Sequence, residues 1–295
     1  MDPASPIHER RVAAGAVTLS VRERQGGLPP VLCLHGLASN ARWWDLVGLR
    51  LAPSHRVVAP DLRGHGRSDR PPDGYGFETV TGDLLALIAA IGLPPAVVVG
   101  HSWGASVALW LAAAAPEQVL GCVLVDGGVG DLRQAFGPTW ASAEAAMTPP
   151  DFPAATASDL PGFLARSALA EGSDPALAAE ILLGNLEAGP NGRLHPRLDR
   201  RRHLLIARAL WELDGAALLG RTRQPVLLIP ARDARGSTRQ LERERAVAAA
   251  LAALGPRGAA RWVAGVHDLP VQRPAPVARA ILEFCQQLVP VGETG

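Results

Sequence analysis

The sequence predicts an α/β fold, a mostly parallel sheet with helices covering both faces. Three observations predict it. Short apolar strand runs recur at Val31-Leu32-Cys33-Leu34, Val57-Val58-Ala59, Val97-Val98-Val99 and Val119 to Val125, and such unbroken runs suit strands buried on both sides. Helix-length apolar or amphipathic segments separate them. Polar or Gly-rich turns follow the carboxyl ends of these runs, which is where ligand chemistry collects in an open parallel sheet.

Taken in order, residues 10–13 and 16–24 carry weaker strand signals on either side of Gly15 and read as an edge hairpin. Val17-Thr18-Leu19-Ser20-Val21-Arg22 alternates as a half-exposed antiparallel strand should. The first central strand, 31–34, runs into His35-Gly36-Leu37-Ala38-Ser39-Asn40, and Trp43, Trp44, Leu46 and Val47 follow at helical spacing. The strand over 56–59 ends in Asp61-Leu62-Arg63-Gly64-His65-Gly66-Arg67-Ser68-Asp69, a loop that reads as too polar and Gly-rich for the core. Residues 79–91 predict an amphipathic helix with Val80, Leu84, Leu87 and Ile88 on one face. Strand 119–125 closes on Asp126-Gly127-Gly128. From about Gly130 to Asp214 strand signals vanish, Pro and Gly become frequent, and 174–186 and 198–210 predict helices. This is a helical insertion. The core resumes with a strand over 224–230, a charged helix over 237–253, a last strand over 261–266 and a closing helix over 276–288. The organisation is thus core over 1–129, insertion over 130–215 and core again over 216–295.

The net charge of +1 over 295 residues leaves no electrostatic footprint for nucleic acid or for anionic lipid. Arg200-Arg201-Arg202 is expected to be a solvated helix face. Cys33 and Cys122 fall in core strands and Cys285 in the last helix, so the three read as small buried hydrophobes. The opening MDPASPIHERR is no apolar leader, and no charge-free run of 18 apolar residues stands out. The expectation is a cytoplasmic protein, monomer or homodimer, acting on a small molecule without cofactor, metal, nucleic acid or membrane.

The centre of the chain is Gly100-His101-Ser102-Trp103-Gly104, placed between the valine strand and a long Ala-rich helix. A serine on so tight a strand-to-helix turn has the form of a nucleophile elbow, which projects Oγ above the sheet edge. A serine hydroxyl needs a base to attack, so histidines and carboxylates at other strand ends become candidates. His267 follows the last strand.

With Leu34-His35-Gly36, the 61–68 loop, the serine turn and His267-Asp268-Leu269-Pro270 in that order, the chain resembles the lid-bearing serine hydrolases of the α/β-hydrolase superfamily. The resemblance implies an eight-stranded sheet with a helical cap inserted after the sixth strand. It also implies a triad of nucleophile, acid and histidine, fitted by Ser102, Asp233 and His267. Asp126, after its own strand, is the alternative acid; Asp268, adjacent to the base, is less able to reach the far ring nitrogen. The backbone N–H groups of Leu37 and Trp103 would form the oxyanion hole. Asp61, Arg63, His65 and Arg67 would brace the floor of the site. Trp43, Trp103, Phe136 and Trp140 are candidates for a substrate pocket, with Trp44, Trp211, Met147, Phe152 and Phe163 behind them.

The superfamily's dehalogenases and epoxide hydrolases carry aspartate in place of Ser102, and the epoxide hydrolases draw tyrosines from the lid, whereas Tyr75 is the only tyrosine here. The expected reaction is hydrolysis of a small to medium apolar carboxylic ester or lactone through an acyl-enzyme. A C–C bond or amide hydrolase of the same fold, and a non-catalytic binding protein that keeps the fold, stand as alternatives.

Overall fold

The computed structural model describes residues 6–151, 156–166, 174–190, 192–233 and 238–288, apart from the side chains of Ala157, Phe163, Arg166 and Thr238. The chain begins with a hairpin, β1 (His8–Ala14) and β2 (Val17–Arg24), and then enters the centre with β3 (Val31–Leu34). A 3-10 turn (Ala41–Trp44) leads into α1 (Asp45–Leu51), followed by β4 (Val57–Pro60) and α2 (Phe77–Ala90). Then come β5 (Ala96–His101), α3 (Trp103–Ala114) and β6 (Val119–Val125).

The cap follows this sixth strand. It comprises α4 (Leu132–Phe136), α5 (Trp140–Met147), α6 (Leu160–Arg166), α7 (Pro175–Gly184), a small hairpin of β7 (Leu186–Ala188) with β8 (Leu194–Pro196), and α8 (Arg200–Glu212). The chain returns through α9 (Gly215–Arg221), β9 (Val226–Ile229), β10 (Ala231–Arg232), α10 (Thr238–Leu254), β11 (Gly258–Ala260), β12 (Val263–Ala264), α11 (Leu269–Gln272) and α12 (Pro274–Leu288).

Eight strands form one sheet in the order β1-β2-β4-β3-β5-β6-β9-β11. The β1–β2 and β2–β4 pairs are antiparallel and every other pair is parallel. The period-two alternation of each strand splits the core in two. Leu32, Val58 and Val98 face α2, α3 and α10, packing with Leu84, Leu109 and Val247. Val31, Val57, Val97 and Val99 face α1 and α12, with Leu51, Ile281 and Phe284. All three cysteines are buried and unpaired.

Two expectations about elements need correction. The eighth strand of the sheet is Gly258–Ala260, paired with β9, and not the run over 261–266. The three small residues let the edge strand tuck under α10, where Gly258 lies against Leu254, while Val263 and Ala264 pair instead with Ala231 and Arg232. The loop over 61–69, read as too polar for the core, is mostly buried, because its polar atoms find partners. Asp61 accepts from the N–H groups of Ala41 (2.7 Å) and Arg67 (2.8 Å), and Arg63 makes a two-pronged ion pair with Asp83 (2.5 and 2.6 Å).

Candidate functional site

The turn between β5 and α3 holds Ser102 at φ 54°, ψ −120°. Its N–H donates to the carbonyl of Val125 at 3.0 Å, which pins the turn to the end of β6. The flanking glycines are a steric requirement. A Cβ on Gly100 would meet the carbonyl of Gly104, and one on Gly104 would meet the carbonyls of Leu34 and His35. Three non-glycine residues among those described have positive φ: Ala38 (58°), Ser102 (54°) and Asp126 (43°). Each follows the carboxyl end of a central strand, and such strain persists only where the surroundings over-determine it.

The imidazole of His267 stands beside this turn. Its Nδ1 lies 2.8 Å from Oδ2 of Asp126, and its ring centroid is 4.7 Å from that of His101, the residue before Ser102. The partner of His267 is therefore Asp126, and the expectation that placed Asp233 there is corrected. Asp233 instead faces Arg243 at 3.4 Å. Both carboxylates follow neighbouring strands, since Val125 pairs with Ile229. Asp126 follows its strand directly, whereas Asp233 lies beyond β10. Asp126 is 4% exposed at its side chain. Burial pushes its carboxyl up, but the hydrogen bonds from His267 and from the Ala231 N–H, with the Arg243 charge, outweigh burial and hold it below the usual carboxylate value. No hydrogen bond joins Ser102 Oγ to His267 among the described residues.

The loop after β3 supplies the other wall. No described acceptor takes the N–H of Leu37 or Trp103. The loop is braced from below, where Ala38 N–H donates to His65 Nε2 (3.2 Å) and Leu62 N–H to His35 Nε2 (3.0 Å). Both imidazoles are thus acceptors at Nε2 and must be neutral. Burial lowers His35 to about 4 and His101 to about 3, and drives His65 well below its ordinary value. The unfolded chain would bind these protons first, from about pH 6.5 downward. Folding stability is therefore complete above that pH and falls as the pH drops toward 4. His35 alone accounts for about 3 kcal/mol over that window. Urea unfolding at pH 7 and pH 4.5 checks it: a midpoint that does not fall at the lower pH contradicts the neutral-histidine brace.

Asn40, to which the sequence reading assigned no role, fastens this loop to the cap. Its side chain is buried, and Nδ2 donates to Ile181 O and to Asn185 Oδ1, both at 2.8 Å, while Oδ1 accepts from Arg42 N (3.0 Å). Arg42 adds an ion pair to Glu180 (2.8 Å). Asn40→Ala removes an N-cap and orphans a buried carbonyl, together about 2 kcal/mol. Turnover is expected to fall with it, because the Leu37 donor sits on the loop it anchors. Thermal melts and turnover measured together check both effects.

The aromatic candidates scatter. Trp103 is 1% exposed and stacks on His65 (5.4 Å), so its ring belongs to the core. Trp43 stacks on His101 (5.1 Å) and Trp44 is core. Trp140 pairs with Trp211 within the cap (5.9 Å), and Phe136 is exposed. Phe152 and the side chain of Phe163 lie outside the described residues. The arginine run, expected to be a solvated face, is partly a clamp: Arg201 and Arg202 donate to the carbonyls of Pro72, Pro71 and Arg70, and Arg70 pairs with Glu187 (2.6 Å). Carbonyls of a Pro-rich loop have few other donors, which draws the guanidinium groups inward. Among the described residues no His, Cys, Asp and Glu cluster could hold a metal, and no helix is long and apolar enough to cross a membrane.

Among known proteins, a 2-(acetamidomethylene)succinate hydrolase of Mesorhizobium japonicum is 38% identical over 117 residues, 40% of this chain and 42% of that one. Lipase LipV of Mycobacterium tuberculosis is 37% identical over 175 residues, 57% of this chain and 62% of that one. Both sequence matches span less than two thirds of the relative's length. The crystal structure of E-2-(acetamidomethylene)succinate hydrolase superposes with a TM-score of 0.78 at 25% identity, covering 95% of this chain and 100% of that one. The family model described as the alpha/beta hydrolase fold matches residues 29–188, from the entry to β3 through to the end of β7 in the cap. With that match spanning more than half its length, the chain belongs to the alpha/beta hydrolase fold family.

Proposed function

We propose that this protein is a serine hydrolase that cleaves a small to medium apolar carboxylic ester or lactone through an acyl-enzyme. The observation that supports the reading is the hydrogen bond between His267 and Asp126 at 2.8 Å, made beside the turn that holds Ser102 at positive φ, where the ring of the preceding His101 lies 4.7 Å from that of His267. Asp126 accepts the Nδ1–H of His267, which fixes the tautomer and leaves Nε2 as the base. Ser102 Oγ bonds to the acyl carbon as its proton passes to Nε2. The carbonyl oxygen takes the negative charge, met by the N–H groups of Leu37 and Trp103. Collapse expels the alkoxide, which receives the proton from His267, and water repeats the sequence to release the acid. An alkoxide can leave without prior protonation, whereas an amide nitrogen cannot, so an ester or lactone makes the smaller demand on one imidazole. An apolar acyl group suits the state of the nearby arginines: Arg243 is committed to Asp126 and Asp233, and Arg42 to Glu180.

A fluorophosphonate probe tests the reading directly. One phosphonyl group is expected per chain, on the peptide carrying Ser102 by mass spectrometry. Absence of label, or label elsewhere, overturns it. A panel of p-nitrophenyl esters of increasing chain length, with lactones, thioesters and anilides beside them, then ranks the substrates.

A further inference from the structure

The pair Asp126–His267 does not stand alone. Arg243, from α10, reaches behind it and lies 2.9 Å from Asp126 Oδ1 through Nε and 3.3 Å from Oδ2 through one terminal nitrogen. Oδ2 is the same oxygen that meets His267. The other terminal nitrogen is 3.4 Å from Asp233 Oδ2 and from Gln240 Oε1. The guanidinium is only 15% exposed, and Asp126 4%. One fork thus spans both carboxylates at the ends of adjacent strands, and the aspartate that does not touch the histidine is the second anion of the cation that touches the first.

We infer that Arg243 is a positioning residue that orients Asp126 and sets the pH at which His267 can act as base, with Asp233 moderating its charge. The inference rests on the reading of Asp126 and His267 given above. A guanidinium sharing the carboxylate with the imidazole opposes a second positive charge on that imidazole, so it favours the neutral, base-competent form. It also steadies Asp126, whose backbone stands at φ 43°. Asp233 withdraws part of the arginine's field. The two residues should therefore act on His267 in opposite directions, which mere bracing of the fold does not produce.

The other groups facing the pair are His101 on β5 and Asp268 beside His267. His101 is held neutral by burial. Asp268 is raised by burial and by Asp126, against the lowering effect of His267. Both remain in every variant below and cancel in the comparison.

The test is the pH dependence of the second-order rate of fluorophosphonate labelling, together with the ring titration of His267 followed by nitrogen-15 NMR on histidine-labelled protein. Arg243→Gln is expected to move the acid limb of labelling, and the His267 titration, about one pH unit upward, a tenfold loss of rate on that limb. Asp233→Asn is expected to move both downward. Arg243→Lys should restore part of the limb, since it keeps the charge and loses the fork. Thermal melts check that each variant is folded. If neither limb nor titration moves in folded Arg243→Gln, or if Asp233→Asn moves them the same way as Arg243→Gln, the inference is overturned. Asp233→Asn abolishing labelling would return the acid to Asp233 and overturn it too. Shifted titrations with no label on Ser102 would instead sink the hydrolase reading and leave the control of His267 by Arg243 in place.

Discussion

Ser102→Ala is expected to lower kcat by about 10⁶-fold while leaving the fold intact, because loss of the nucleophile alone costs about as much as loss of a whole triad. The substitution removes one oxygen atom from a half-buried position and leaves the φ 54° turn to be held by its neighbours. Its thermal midpoint should stay within a few degrees of the unaltered protein. The measurement is turnover of the best ester from the substrate panel, with active-site titration to exclude contamination by unaltered enzyme. The N–H groups of Leu37 and Trp103, proposed as the oxyanion donors, belong to the backbone and survive the change, so a residual rate above that in water should persist. A variant that keeps more than one hundredth of the original kcat would mean that Ser102 is not the attacking group.

Asp126→Asn should cost about 10⁴-fold in kcat, the scale of an imidazole held in the wrong tautomer. The amide that replaces the carboxylate can present an N–H to Nδ1. His267 then carries its proton on Nε2 and cannot take one from Ser102. The same change strips Arg243 of its closest anion, 2.9 Å away and buried, so a stability loss of about 3 kcal/mol accompanies it. Asp233→Asn leaves that network intact at its inner end, and its kcat at the pH optimum should stay within a few-fold. Running both variants beside each other over a pH series separates the two aspartates. Equal losses, or the greater loss at Asp233, would refute the assignment of the acid.

The serine turn was legible because its requirement is local. Glycine at 100 and 104 answers collisions within a few residues and with the strand alongside, and the valine run before it and the alanine-rich run after it announce strand and helix. The carboxylate that meets His267 was not legible in the same way. Asp126 and Asp233 both follow core strands, and nothing in one dimension says which of two adjacent strand ends the His267 loop leans toward. The neighbouring arginine sits in a helix rich in Arg and Glu, where no residue stands out by type or spacing. Asn40 was hidden for a related reason. Its partners, Ile181 and Asn185, lie about 140 positions along the chain, inside the insertion whose sequence has the weakest periodicity. The tryptophans could not be sorted from sequence because an indole fills core space as readily as it lines a pocket, and burial is a property of the packed molecule.

By itself, then, the sequence determined the layered α/β architecture, the cap after the sixth strand and the strained turn at Ser102, since apolar periodicity and steric demand act over short stretches of chain. Only the tertiary structure decided that Asp126 rather than Asp233 meets His267, that Arg243 joins the two carboxylates, and that most of the loop over 61–69 lies inside. Those outcomes depend on which side chains satisfy one another's charges and hydrogen bonds across distant segments once water has been excluded.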